Sequence, residues 1–186
     1  RSEYADYWAL KWADTLRVER LKLGRKNAYS YYSWIHDSFR KNKPFDQFAR
    51  ELVTAEGPLN ELPAGHFYKS VGSPKDWAST VSQVFLGIRI ECAQCHHHPF
   101  DRWSQQDYYG MEAFFTQVKF KNTSRGEAIL ADGNPKTKHP RTGEEVFAHP
   151  LATEMPTEHP AGDRRTALAA WMTAAKNPWF ARNVAN

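Results

Sequence analysis

Residues 91–101 read ECAQCHHHPFD, a stretch that holds the only two cysteines of the 186-residue chain and three of its eight histidines. Cys92 and Cys95 are three positions apart, and His96 follows directly. Along a helical turn, residues three and four apart share a face, so Cys92, Cys95 and His96 can converge on one side of the backbone. Ala93 and Gln94 then need only be tolerable on the other side. Two thiols so placed can form thioethers with the two vinyl groups of a porphyrin, while the imidazole reaches the iron from the proximal side. This is the Cys-x-x-Cys-His pattern of c-type haem attachment. The spacing therefore predicts one haem c, attached through Cys92 and Cys95 with His96 as the proximal axial ligand.

The same residues leave two other readings open. Cys92, Cys95 and two of His96, His97 and His98 would supply four zinc ligands by count. Structural zinc sites, however, normally draw their second pair of ligands from a distant segment, because tetrahedral geometry is hard to satisfy within seven consecutive residues. The cysteines could also form a disulfide or a thioredoxin-like redox pair, although no βαβ pattern surrounds them.

Upstream, Ser73 is placed as an N-cap with Pro74 in the first helical position. Trp77, Val81, Val84, Phe85 and Ile88 give that helix an apolar face running toward Cys92. Downstream, Pro99 stops the motif, and Ser104 with Asp107 resembles a capping box that opens a helix bearing Tyr108, Met111, Phe114 and Phe115. A porphyrin needs a flat apolar crevice, and Phe85, Ile88, Phe100, Trp103 and Phe114 are the candidate walls.

Nearer the N-terminus, Tyr4, Trp8, Leu10, Trp12 and Leu16 fall mostly on one helical stripe. A break at Gly24–Lys26 separates this helix from one over 28–40, and Pro44 begins a third carrying Phe45, Phe48, Leu52 and Val53. Gly57, Pro58, Pro63 and Gly65 mark a loop that includes His66. From about 119 to 160 the chain is rich in Gly, Pro, Asn and Thr, with room for one small β-hairpin. Asp163 then caps a helix through Ala167, Leu168, Trp171 and Met172, which ends before Pro178.

The bulk composition fits a globular chain: 41% hydrophobic, 25% charged and 14% aromatic. No apolar run is long enough for a transmembrane helix. The net charge of +4 is mild, and the longest basic cluster, Phe39 to Lys43, reads as a solvated helix end. Without a basic stripe or a base-stacking motif, nucleic-acid binding is not expected. The chain opens inside a helical pattern and closes at NPWFARNVAN (177–186), which reads as the start of another element. It is expected to be a piece of a longer protein.

ECAQCHHHPFDRWSQQDYYGMEAFF (91–115), DYWALKWADTLR (6–17), NKPFDQFARELVTAEG (42–57) and STVSQVFLGIRI (79–90) together resemble the planctomycete-type cytochrome c domain family. That family is found in very large secreted proteins. The resemblance runs over residues 1 to about 118 and again over the last ten. It implies a mainly α fold: a helical, cytochrome-c-like haem-binding domain over 1–118, a loop-rich insert over 119–160, and a C-terminal helix with the start of a following domain over 161–186. It also implies an extracytoplasmic location, periplasmic, cell-surface or secreted, because haem of this kind is attached outside the cytoplasm. Two positions depart from the family pattern: His97 stands where Asp or Asn is common, and Lys11 where many members carry His.

For the distal ligand the candidates are Met111 and His66 first, then His97, His98, Met155, His139, His149 and His159. His97 and His98 are too close to His96 to reach the opposite face of one haem without strain, and are expected to bond a propionate, a backbone group or solvent. The function expected is single-electron transfer to or from a redox partner protein or a neighbouring domain. The alternatives are a haem-stapled structural, binding or sensor module and, third, a peroxidase-like enzyme.

Overall fold

A computed structural model describes residues 2–155 and 162–185. They group into two compact units: residues 1–72 with 120–130, and residues 73–119 with 131–186. The stretch 119–160, expected as a single insert, is thus shared between the two.

The first unit contains α1 (Ser2–Thr15), α2 (Arg20–Arg40), α3 (Phe45–Val53) and α4 (His66–Val71). Strand β1 (Gly57–Pro58) pairs antiparallel with β3 (Gly126–Ala131), Gly57 opposite Ile129, and β3 has β2 (Val118–Thr123) on its other side. The break expected near Gly24 is a kink inside α2. Gly24 takes φ 76°, ψ 163°, a conformation that residues with a Cβ rarely adopt. Phe48 centres an aromatic cluster, stacked on Trp34 at 4.6 Å and on Phe45 at 5.6 Å, with Trp12 edge-on at 5.5 Å.

Two expectations for this unit are corrected. The face that α1 buries is Ala5, Ala9, Ala13 and Leu16, whereas Tyr4, Tyr7, Trp8 and Leu10 are exposed. The small side chains allow close approach of the neighbouring α2, which hydrophobicity alone does not signal. His66 does not sit in a loop. Pro63–Gly65 form a 3₁₀ turn that runs directly into α4, where His66 is the first residue and is 1% exposed. Burial pushes the His66 imidazole below its usual pKa, as does the Lys69 ammonium, with Glu127 acting the other way.

The second unit contains α5 (Pro74–Leu86), a 3₁₀ turn (Glu91–Gln94), α6 (Gln105–Ala113), the antiparallel pair β4 (Lys136–Lys138) and β5 (Glu145–Phe147), α7 (Arg165–Met172) and α8 (Pro178–Ala185). The local helix signals hold. The Ser73 side chain accepts from Asp76 N, and Ser104 with Asp107 forms a full capping box, at 3.1 Å from Asp107 N to Ser104 Oγ and 2.8 Å from Ser104 N to Asp107 Oδ2. The first of these helices stops at Leu86 rather than running on to Cys92, because Gly87 turns left-handed at φ 69°. Beyond Ala131 the expected loop carries the β4–β5 pair, and residues 178–185, read as the start of another element, form α8. Asp163, expected as the cap of α7, stands one residue before the N-cap Arg164, and its side chain accepts Arg165 N at 2.9 Å. Its carboxylate also takes Nε and Nη2 of the Arg165 side chain, which is fully buried.

The β4–β5 pair packs on α6, and the residues after it bring His149 against Gly110. A Cβ at Gly110 would lie 2.2 Å from His149 Cε1, and the ring is held by a 2.8 Å hydrogen bond from Nδ1 to Phe147 O. Gly110→Ala is therefore expected to cost about 1–3 kcal/mol, the usual range for overpacking. Urea unfolding of the two forms measures it, and an unchanged midpoint would mean that the ring moves freely.

Candidate functional site

Glu91–Gln94 make one 3₁₀ turn that closes at Cys95. With three residues per turn, positions i and i+3 eclipse, so Cys92 and Cys95 lie over the same edge of the turn. Ala93 is buried, while both cysteines are exposed and unpaired. The turn therefore buries its small residue and offers both thiols outward. His96, also exposed, bonds the His97 carbonyl through Nδ1 at 2.6 Å. A carbonyl only accepts, so Nδ1 carries a hydrogen, and in the neutral ring Nε2 is the nitrogen left to ligate a metal.

Side chains from elsewhere in the unit hold the turn in place. The Gln94 carbonyl accepts Tyr109 Oη–H at 2.8 Å and Gln105 Nε2–H at 3.1 Å. Gln105 Oε1 in turn accepts Arg141 Nη2 at 3.4 Å, and the Tyr109 ring meets His139 edge-on at 5.3 Å. Burial, then Glu112, then the nearby Cys95, push the Tyr109 phenol above its usual pKa. Tyr109 was visible in the sequence only as one of many aromatic residues, and Gln105 and Arg141 gave no signal there, because their partners lie 11 to 36 residues away.

On the other side of the motif, His98 N–H donates to Trp103 O at 2.8 Å and His98 Nδ1 accepts Phe100 N–H at 3.2 Å. His98 thus bonds backbone groups, as expected, and His97 is exposed. Of the candidate crevice residues, Phe85, Ile88, Trp103 and Phe114 are buried, whereas Phe100, five residues after Cys95, is 94% exposed. Ile88 and Trp103 share an open cleft of about 420 Å³ with Arg102, Trp179 and Arg182.

The distal candidates are dispersed. Met111 is fully buried in α6, and His66 is buried in the first unit. The exposed Met155 accepts Gln106 Nε2 at 3.6 Å. His139 accepts two backbone N–H groups, from Arg141 and Thr142, through Nδ1 at 3.3 Å each, and His149 Nδ1 bonds Phe147 O. His159 lies outside the described residues. Among the described residues, no group of three or more His, Cys, Asp or Glu is arranged to hold a metal ion, so the four-ligand zinc reading is not assembled. The two eclipsed exposed thiols, the free His96 Nε2 and the exposed Phe100 ring do fit a haem attached covalently.

Close to the motif, α6 also buries Glu112, whose Oε2 has no hydrogen-bond partner. Burial pushes its carboxyl above the ordinary 4.5, with Lys75 and Thr137 acting the other way. The folded state then keeps a proton that the unfolded chain has lost. The stability linked to this group is present below about 4.5 and is lost as pH rises through the raised value. Glu112→Gln is expected to gain on the order of 1 kcal/mol near neutral pH. In urea unfolding at several pH values the two curves should converge in acid. A constant gap would contradict the linkage.

Among the described residues, no helix is long and apolar enough to cross a membrane. A family model described as PSCyt2, protein of unknown function (DUF1549), matches residues 1–120. No curated protein and no solved structure matches the chain, so the expected likeness to a cytochrome c fold rests on the motif alone.

Proposed function

The chain belongs to the PSCyt2 (DUF1549) family, a planctomycete cytochrome c-associated domain family, and from that premise we propose that it is a monohaem c-type domain that passes single electrons outside the cytoplasm. The observation that carries this reading is the turn at residues 91–96, with two exposed, unpaired thiols three residues apart and the His96 ring held through Nδ1. Cys92 and Cys95 would hold the haem by thioethers, with His96 on its iron. The bound group supplies one chemistry, the reversible change of iron between two oxidation states.

The protein's own part is to position and to shield. Tyr109 and Gln105 fix the Gln94 carbonyl and with it the pitch of the turn. The Nδ1–H bond to His97 O orients the His96 ring. The exposed Phe100 is an apolar surface ready to lie against a flat ligand. A net charge of +4 favours docking of an acidic redox partner, whether a separate protein or a neighbouring domain of the parent chain.

The test is a redox titration of the purified protein followed by its visible spectrum, with and without carbon monoxide. Electron transfer predicts a reversible one-electron change that carbon monoxide leaves untouched. Rapid carbon monoxide binding would contradict it and favour a sensor or catalyst.

A further inference from the structure

Trp103 is 3% exposed, and its Nε1–H meets no acceptor. Buried indole N–H groups usually find a partner, and one left without forfeits its hydration with no return. The ring lines the cleft of about 420 Å³ described above, whose other walls include Ile88, Trp179 and Arg182. Arg102 lies over the Trp103 ring at 5.0 Å and over the Trp179 ring at 5.3 Å. Neither Arg102 nor Arg182 pairs with a carboxylate among the described residues. The one acid in the cleft, Asp101, accepts Arg102 N–H at 2.8 Å. The cleft thus offers two guanidinium groups against one carboxylate and two aromatic walls, one of which carries the buried, unpartnered Nε1–H. Asn183 also lines the cleft, with one of its amide N–H groups donating to Val84 O at 2.7 Å.

We propose that this cleft is a binding site for a carboxylate carried on a flat apolar body. The planar fork of a guanidinium matches a carboxylate in bidentate fashion, and tryptophan rings favour a flat neighbour. Arg102 is exposed and lies over the indole face, so it is free to turn from the rings toward the ligand. The cleft also belongs to the motif in the chain. Ile88 comes four residues before Cys92, Trp103 seven after His96, and the Trp103 carbonyl holds His98 N–H. In the haem-loaded protein the carboxylate is a haem propionate. This last assignment rests on the covalent-haem reading, whereas the carboxylate site does not.

Isothermal titration of the 186-residue chain with benzoate, in haem-free and haem-loaded forms, separates the two. The haem-free protein is expected to bind benzoate saturably, and Arg182→Gln, an exposed position, to weaken binding roughly tenfold with unchanged circular dichroism. With haem attached, benzoate binding is expected to vanish. The pH inflection of the midpoint potential should then move up by about one unit in Arg182→Gln, as a propionate loses its cation. Benzoate binding by both forms would keep the carboxylate site but overturn the propionate as its occupant. Benzoate binding by a protein that never takes up haem would likewise keep the site while the haem reading fails. No binding by the haem-free protein together with an unmoved inflection would overturn the proposal.

Discussion

Replacing Cys92 and Cys95 together by Ala is expected to give a folded protein with no covalently bound haem. The loss is all or none, because the two thioethers are the only covalent links the motif provides. Folding should survive because both side chains are exposed, and surface substitutions usually stay within about 0.5 kcal/mol. A single replacement leaves one thioether, so Cys92→Ala or Cys95→Ala alone should retain part of the colour after denaturation. His96→Ala should keep both attachments yet change the spectrum, since it removes a ligand rather than a link. The check is absorbance of the denatured polypeptides after size separation. Full haem retention in the double variant would refute attachment at these positions.

The largest stability effect is expected at the start of α7. Arg165 is fully buried, and Asp163, with 13% of its side chain exposed, takes its guanidinium through both carboxylate oxygens at 2.8–3.1 Å. Asp163→Ala would remove a carboxylate that takes the buried guanidinium through both oxygens, together with the acceptor for Arg165 N, at an expected cost of about 3–5 kcal/mol. Asp163→Asn keeps an acceptor without the charge and should fall between Ala and wild type. Urea unfolding of the three proteins measures the series. A cost for Ala below about 1 kcal/mol would show that other groups satisfy the guanidinium.

Local signals carried far in this chain. The Ser104–Asp107 capping box, the Ser73–Pro74 start and the helix after Pro44 were legible because each depends on residues within a turn of one another. The helical turn expected around Cys92 and Cys95 was legible for the same reason, and its local form is a 3₁₀ turn. What escaped depends on distant partners. Ala5, Ala9 and Ala13 are buried because α2 packs closely on α1, while the more hydrophobic Trp8 and Leu10 face outward. The β1–β3 pairing joins residues about 70 positions apart, which periodicity cannot register. Gln105 reaches the motif because α6 packs on the turn, and Arg141 reaches Gln105 because the β4–β5 segment folds back onto α6. Spacing alone could not choose a candidate distal ligand for a related reason: Met and His residues were available in many places.

The central claim is that the turn at residues 91–96 holds a haem by two thioether bonds. It is tested most directly by producing the chain where c-type haem is matured, extracting with acidified acetone, and recording the reduced pyridine haemochrome of the denatured polypeptide. The account predicts a haemochrome that stays with the protein, at one haem per chain, with the band position of a porphyrin whose vinyl groups are both saturated. A colourless polypeptide, or haem that leaves with the solvent, would contradict it.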